Sequence, residues 1–299
     1  MSSLDHAQLA AFSAVVNEGS FEAAAHRLHV TPSAVSQRVK ALESQLGQVV
    51  VRRSRPVEPT DAGRVLLRLA NQTRLLEREA LADLAADESA EPLRLALAVN
   101  ADSLSTWFLD ALAAIPAEYA VTFDIRAEDQ DHSIALLREG TVMAAVTTEP
   151  TAVQGCRTEP LGAMRYLAVA APEFAAHYFP DGPDPKSLAL APTLMYNRKD
   201  GLQHRFLALL TGKRLDPTIT YLPSSRGFLD AARLGLGWGM VPEHLVGKAL
   251  DHNEIVELAP GRFLDVPLHW QRWRLHSPVL DALTRAVTDA ASATLHRSG

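Results

Sequence analysis

The stretch "TPSAVSQRVKALESQLG", from Thr31 to Gly47, carries a face suited to hydrogen bonding. Val35, Val39, Leu42 and Leu46 recur at helical spacing and form one apolar stripe. Opposite them lie Ser33, Ser36, Gln37, Lys40 and Ser44, flanked by Arg38, and the only acid is Glu43 near the end. Hydroxyls, an amide and two cations suit an anionic partner rich in donors and acceptors. The major groove of double-stranded DNA is such a surface. Taken alone, the same residues would also serve as a solvated helix face.

A second set of polar residues sits at expected strand ends further along. "NADSLSTWF" brings Asn100, Asp102, Ser103, Ser105 and Trp107, and "EDQD" brings Glu128, Asp129 and Asp131. "TTE" brings Thr147, Thr148 and Glu149, and "PSSRG" brings Ser224 and Ser225. In open α/β sheets ligands bind beyond the carboxyl ends of strands, where helix N-termini offer free N–H groups. The serines and exposed amides suit a carboxylate. The acids suit one or two ammonium groups, and Trp107 can cover an aliphatic stem or stack on a guanidinium. Acids outnumber cations here and no arginine clamp is evident, which favours a small cationic zwitterion. Any one of these acids, taken singly, reads equally well as a solvated loop residue.

The elements that must position these groups are also legible. Thr31 is an N-cap, Pro32 sits at the first helical position and Gly47 ends the helix. Upstream, Ser20 caps a shorter helix with Phe21, Ala24, Ala25 and Leu28 inward. Helix, short turn and polar helix make the helix-turn-helix arrangement, whose second helix reads the groove. "LDHAQLAAFSAVVNEG" adds an amphipathic helix whose Leu9, Phe12, Val15 and Val16 complete a three-helix core. "GQVVVRRSRPVEPTDAG" reads as a two-stranded wing with Arg52, Arg53 and Arg55 near phosphates. From Thr60 to about Asp87 runs one long helix. Its Ala62, Leu66, Leu69, Thr73, Leu76 and Ala80 follow the 4-3-4-3-4 spacing of a two-helix coiled coil. Such a dimer would place two reading heads on a palindromic operator.

After a polar hinge, "DESAEP", strands alternate with helices, which predicts mostly parallel sheets. Two similar runs, with crossings near residues 164 and 268, predict two α/β lobes. The expected organisation is a winged helix-turn-helix over 1–60, a linker helix and hinge over 61–90, and a ligand-binding region over 91–299. Within that region lobe I spans 91–163 and 268–299, and lobe II spans 164–267.

"GSFEAAAHRLHVTPSAVSQRVKALESQLG" followed by "RSRPVEPTDAG" resembles the reading head of LysR-type transcriptional regulators. "NADSLSTWF", "LGLGWGMVP" and "HWQRWRL" resemble the LysG/ArgP branch of that family, which responds to basic amino acids. The resemblance implies lobes like those of a periplasmic binding protein and a dimer or tetramer. It also implies a lysine, arginine or histidine effector, and a target gene for basic amino acid export. RNA polymerase is a further partner it allows. The chain departs from many relatives at Val49-Val50-Val51-Arg52, where they carry an aromatic before the wing arginine.

Composition bounds the alternatives. The net charge of −6 is unusual for a DNA binder, but from Arg27 to Arg55 six cations face one acid. Phosphate attraction decays over roughly 8–10 Å, so the local sign governs. Asp5, His6, Gln8, Asn17 and Glu18 interrupt any N-terminal apolar run, and no stretch is long enough to span a bilayer. The expectation is a cytoplasmic protein with no membrane partner. The single cysteine, Cys156, and the spacing of His252, His269 and His276 suggest no metal site. Gly235, Gly237 and Gly239 follow a helix, which reads as a tight turn into a strand and not a dinucleotide fingerprint. No hydrolase elbow, zincin motif or P-loop is present, so neither a cofactor nor an enzyme is expected. A regulator of another metabolite, or an architectural DNA protein that needs no ligand, are the other readings. Over 200 residues of α/β lobes exceed what coating DNA requires.

Overall fold

The computed structural model of the chain describes residues 4–84, 92–127 and 130–297. Asp5, Ser20 and Thr31 each accept a first-turn backbone N–H, from Gln8, Ala23 and Ala34. They start α1 (His6–Glu18), α2 (Phe21–Arg27) and α3 (Pro32–Leu46), and α3 ends at Gly47 with φ of 66°. Leu9, Phe12, Val15, Ala24, Val35, Val39 and Leu42 share one buried core. The wing pairs β1 (Val51–Arg52) antiparallel with β2 (Glu58–Pro59). Val50 and Val51 are both buried in the head core, so the aromatic of many relatives is replaced by two valines under the wing.

Thr60 caps α4 (Asp61–Asp83) by accepting from the Gly63 N–H. Of the seam expected along this helix, only Leu66 turns into the head core, where Leu67 and Ala70 join it, while Leu75, off the seam, joins the core of the C-terminal lobes. Leu69 and Leu76 remain exposed, alongside Val65. The helix already packs on its own chain along two sides, and only one stripe is left over.

Lobe I begins with β3 (Leu93–Val99), α5 (Ala101–Thr106), α6 (Phe108–Ala113), β4 (Val121–Ala127), α7 (Gln130–Glu139) and β5 (Ala144–Thr147). The chain then crosses on β6 (Cys156–Ala170). Lobe II follows as α8 (Pro172–Tyr178), α9 (Pro185–Leu190), β7 (Thr193–Met195), α10 (Leu202–Thr211) and β8 (Ile219–Tyr221). It continues with α11 (Ser225–Arg233), β9 (Gly239–Pro242), α12 (Glu243–Asp251) and β10 (Val256–Glu257). The return crossing is β11 (Phe263–Trp273), and α13 (Pro278–Thr294) closes the chain on lobe I.

β3 pairs in parallel with β4 and β5, and β7 with β8. The remaining pairings of the large sheet are antiparallel, against the expectation of mostly parallel sheets. The reason is topological. β6 and β11 run straight from one lobe into the other and pair along their length, with a register shift between Leu268 and His269. β6 also starts at Cys156, eight residues before the expected 164, and carries Pro160 and Gly162 within it. Gly162 has φ of 123°, and a Cβ there would meet the His296 carbonyl at 2.7 Å, where the C-terminal segment bridges to Ala163. Trp270 and Trp273 are both fully buried, because both faces of this central strand are covered. The Trp270 indole N–H donates to Thr284 on α13 at 3.1 Å.

The linker helix ties head to lobe I. Ser13 donates to the Asn71 carbonyl oxygen at 3.0 Å, and the Asn71 amide donates to the Gly140 carbonyl at 2.9 Å. Glu79 accepts from the Ser277 hydroxyl at 2.6 Å and from the Val279 N–H at 3.1 Å, at the start of α13. Among the described residues no helix is long and apolar enough to cross a membrane.

Candidate nucleic-acid interface and ligand cleft

The outer face of α3 presents Ser33, Gln37 and Lys40 to solvent, with Ser36 and Arg38 half-buried beside them. Thr31 and Pro32 lie exposed at its start, and Ser20 holds the first turn of α2. Glu43 does not belong to this face: its carboxylate accepts the Val50 N–H at 3.0 Å and ties the helix to the wing. Arg52, Arg53 and Arg55 are exposed on the wing. The Arg53 guanidinium lies 5.6 Å from the centre of the Phe21 ring, which links the wing to α2. The Ser54 hydroxyl donates to the Pro56 carbonyl at 2.7 Å and folds the tip. Helix face and wing therefore offer one largely cationic surface, with Glu58 the exposed acid on the wing, opposite Arg52.

A cleft of about 600 Å³ opens between the lobes. Lobe I contributes Asn100, Asp102 and Thr148, the crossing strands contribute Tyr166 and Pro267, and lobe II contributes Tyr196, Asp200, Arg205 and Ser225. Asn100 caps α5 by accepting from the Ser103 N–H at 2.9 Å, which sets Asp102 in the first turn. The Tyr166 hydroxyl donates to Asp102 at 2.6 Å. Burial pushes the Asp102 carboxyl above the ordinary carboxylate range, against the pull of Tyr166 and Ser225, and the nearby Asp200 pushes it the same way. Burial and then the Asp102 charge push the Tyr166 phenol well up, so it remains a donor. Asp200 accepts from the Tyr196 N–H at 2.9 Å and from the Leu202 N–H at 3.0 Å, which shapes the loop before α10. Two half-buried carboxylates thus share one cleft and suit a cation.

The structure sorts the expected ligand residues. Asn100, Asp102, Thr148 and Ser225 line the cleft. Ser103 is fully buried behind that wall, its hydroxyl without a hydrogen-bond partner among the described residues. Ser105 is exposed outside the lining, and Ser224 caps α11 by accepting from the Gly227 N–H at 3.1 Å. Trp107 lies in the core with its ring edge-on to Phe108 at 5.6 Å, so it covers no ligand stem. Thr147 and Glu149 line a separate recess with Thr148 on lobe I, and the Glu149 carboxylate accepts the Thr151 N–H at 2.8 Å. Glu128 and Asp129 lie outside the described residues, as does the side chain of Asp131. Nor do acids outnumber cations in the lining: Lys199 and Arg205 stand with Asp102 and Asp200. "PTLMYNRKD" carries the same strand-end signal, a short strand followed by Asn197, Lys199 and Asp200. Tyr166 carried no such signal, because it sits mid-strand where the chain crosses between lobes.

Residues 6–64 match the bacterial regulatory helix-turn-helix protein family of lysR type, and residues 86–292 match the LysR substrate binding domain. The chain belongs to the LysR family of transcriptional regulators. Among its relatives, an HTH-type transcriptional regulator LysG of Mycobacterium tuberculosis is 50% identical over 97% of this chain and 94% of its own. The crystal structure of ArgP from Mycobacterium tuberculosis superposes with a TM-score of 0.87 at 49% identity, covering 99% of this chain and 100% of that one. Full-length LysG from Corynebacterium glutamicum with bound effector Arg superposes at 0.76 with 41% identity, covering 98% and 99%. This LysR regulator is therefore a DNA-binding protein with a winged head and a two-lobed, periplasmic-binding-protein-like ligand domain. Its relatives are transcriptional regulators and not enzymes, in line with the expectation that the chain is no enzyme.

Proposed function

We propose that this regulator binds a basic amino acid, L-arginine, L-lysine or L-histidine, in the cleft between Asp102 and Asp200. In doing so it controls a gene for basic amino acid export. The observation that carries the reading is the half-buried Asp102, held by Tyr166 and facing a second carboxylate. Support comes from the arginine bound to the Corynebacterium relative. The ligand's side-chain cation meets the two carboxylates. Its own carboxylate meets Arg205, Lys199 and the Ser225 hydroxyl. The melting temperature of the purified full-length protein against the twenty amino acids tests this. A ligand at 100 times its Kd stabilises by about 2.7 kcal/mol, so a basic amino acid must stand out. A shift with none of the three would overturn the assignment and leave the DNA-binding head untouched.

The pH dependence of binding follows from Asp102. Its carboxyl titrates above the ordinary range in the ligand-free protein, and a bound cation favours the ionised form. Affinity for arginine is therefore flat above that raised pKa. It weakens by about tenfold per pH unit as the pH falls below it, until the pKa of the complex is reached. Calorimetric titration at a series of pH values reads this directly. Affinity unchanged across the carboxylate range would remove Asp102 from the contact.

On the DNA side, Ser33, Ser36 and Gln37 face base edges, and Arg38, Lys40, Arg52, Arg53 and Arg55 face phosphates. Thr31, Pro32 and Ser20 place these groups through the helix starts. Val65, Leu69 and Leu76 form the stripe on which a second copy's linker helix packs, giving a dimer on a palindromic operator. A tetramer and contact with RNA polymerase extend the same reading, and the cytoplasm is its compartment. Lys40→Ala should weaken operator and non-operator DNA alike and lower the salt slope by about 1. Anisotropy titrations at several salt concentrations check this, and a loss confined to the operator would make Lys40 a base reader instead.

A further inference from the structure

Between the head and lobe I lies a small cavity of about 20 Å³, away from both sites above. Its charged lining is Glu18, Arg27, Arg74, Arg94, Asp124 and Arg126, four guanidinium groups against two carboxylates. Glu18 is shared between Arg27 at 3.9 Å and Arg94 at 3.7 Å. Asp124 is shared between Arg94 at 2.9 Å and Arg126 at 3.8 Å. Arg74, on α4, has no ion pair or hydrogen bond with any described residue, and its Nε is shut off from solvent. Burial, then repulsion from Arg27 and Arg94, lowers the Arg74 guanidinium from the usual arginine range, against the pull of Glu18. Arginine does not escape such a place by giving up its proton. The opposing charge it feels is that of Glu18, which Arg27 and Arg94 already share, and a partly buried charge so weakly balanced is costly.

We propose that this cavity binds one small monovalent anion of halide size, held by Arg74 with Arg27 and Arg94 flanking it. The size follows from the volume: about 10–15 Å³ admits one water-sized occupant, so 20 Å³ holds a chloride and excludes phosphate or a carboxylic acid. A water molecule fills the space but leaves the charge unbalanced. The position gives the anion a role. Glu18 and Arg27 belong to the head, Arg74 to the linker helix, and Arg94, Asp124 and Arg126 to the lobe I sheet. An anion bound where the three meet stabilises the docked head over any arrangement in which the head swings away.

The same negative charge is also available from a carboxylate of a second copy lying along α4, and diffraction separates the two sources. The first measurement is the melting temperature of the full-length protein in sodium chloride, sodium bromide and sodium gluconate at matched ionic strength. The halides should raise it by a few degrees over gluconate, saturably, and the difference should vanish in Arg74→Met. Equal melting temperatures, or a halide effect unchanged in Arg74→Met, would overturn the site. Should Arg74→Met fail to fold, crystals of the unaltered protein grown in bromide decide. An anomalous peak within hydrogen-bond reach of Arg74 supports the proposal, and a water or a partner carboxylate there removes it.

Discussion

Asp102→Asn should abolish the response to basic amino acids while leaving the fold and the DNA affinity intact. The amide keeps the size of the carboxylate and can still accept the Tyr166 hydrogen bond, so the start of α5 is preserved. What it loses is the charge. Removing one partner of a buried charge pair costs about 2–4 kcal/mol, a loss of roughly 30- to 1,000-fold in affinity. The ligand-free protein should be no less stable. A carboxyl whose pKa is raised by burial is destabilising in its ionised form, and that penalty disappears with the charge. Calorimetry with arginine and a thermal melt of the free protein together give a clear answer. Lost binding with an unchanged or higher melting temperature places the cation on Asp102. Lost binding with a lower melting temperature makes Asp102 a structural residue, and unchanged binding moves the cation elsewhere in the cleft.

How much of this site was legible in the sequence depends on the kind of signal. The head was legible almost residue by residue, because its information is local. Ser20 and Thr31 do accept first-turn N–H groups, and Val35, Val39 and Leu42 are buried at helical spacing. The cleft was legible only where a polar cluster follows a strand, as at Asn100 and Asp102. Tyr166 reaches Asp102 across 64 positions, and only the crossing of β6 between the lobes brings them together. Trp107 misled for a related reason. It follows the cleft residues directly in sequence, but α5 gives way to α6 at that point and turns the ring into the core. The linker helix was recognised as a helix and its seam was not resolved. A spacing of apolar residues does not say whether a helix packs on a second copy, on the head or on lobe I; here Leu66 of that stripe joins the head core while Leu69 and Leu76 stay exposed, and Leu67 and Leu75 on neighbouring stripes meet the head and lobe I.

Gly63→Ala should cost operator binding without touching the ligand cleft. Gly63 lies in the first turn of α4, where ordinary helical backbone would accept an alanine. The obstacle is the wing. A Cβ at this position would stand 2.1 Å from the Val50 carbonyl oxygen and 3.1 Å from the Pro59 Cβ. That carbonyl cannot simply move aside, because it accepts the Thr60 N–H at 3.1 Å, and the Thr60 hydroxyl donates to the Val49 carbonyl at 2.8 Å. The same few residues start the linker helix, cap it and anchor the strand that leads to Arg52. An added methyl group must therefore push the wing and the helix apart, at a cost of about 1–3 kcal/mol. Arg52, Arg53 and Arg55 then no longer sit at a fixed distance from the outer face of α3. Groove and phosphate contacts that require both at once are lost together, and operator affinity should fall about 10- to 100-fold. Arginine binding, which draws on residues of the two lobes alone, should keep its affinity. Fluorescence anisotropy on operator DNA and calorimetry with arginine separate the two. A fall in both affinities would show the mutation to be a general destabilisation. An unchanged operator affinity would show that the wing is not held by this contact.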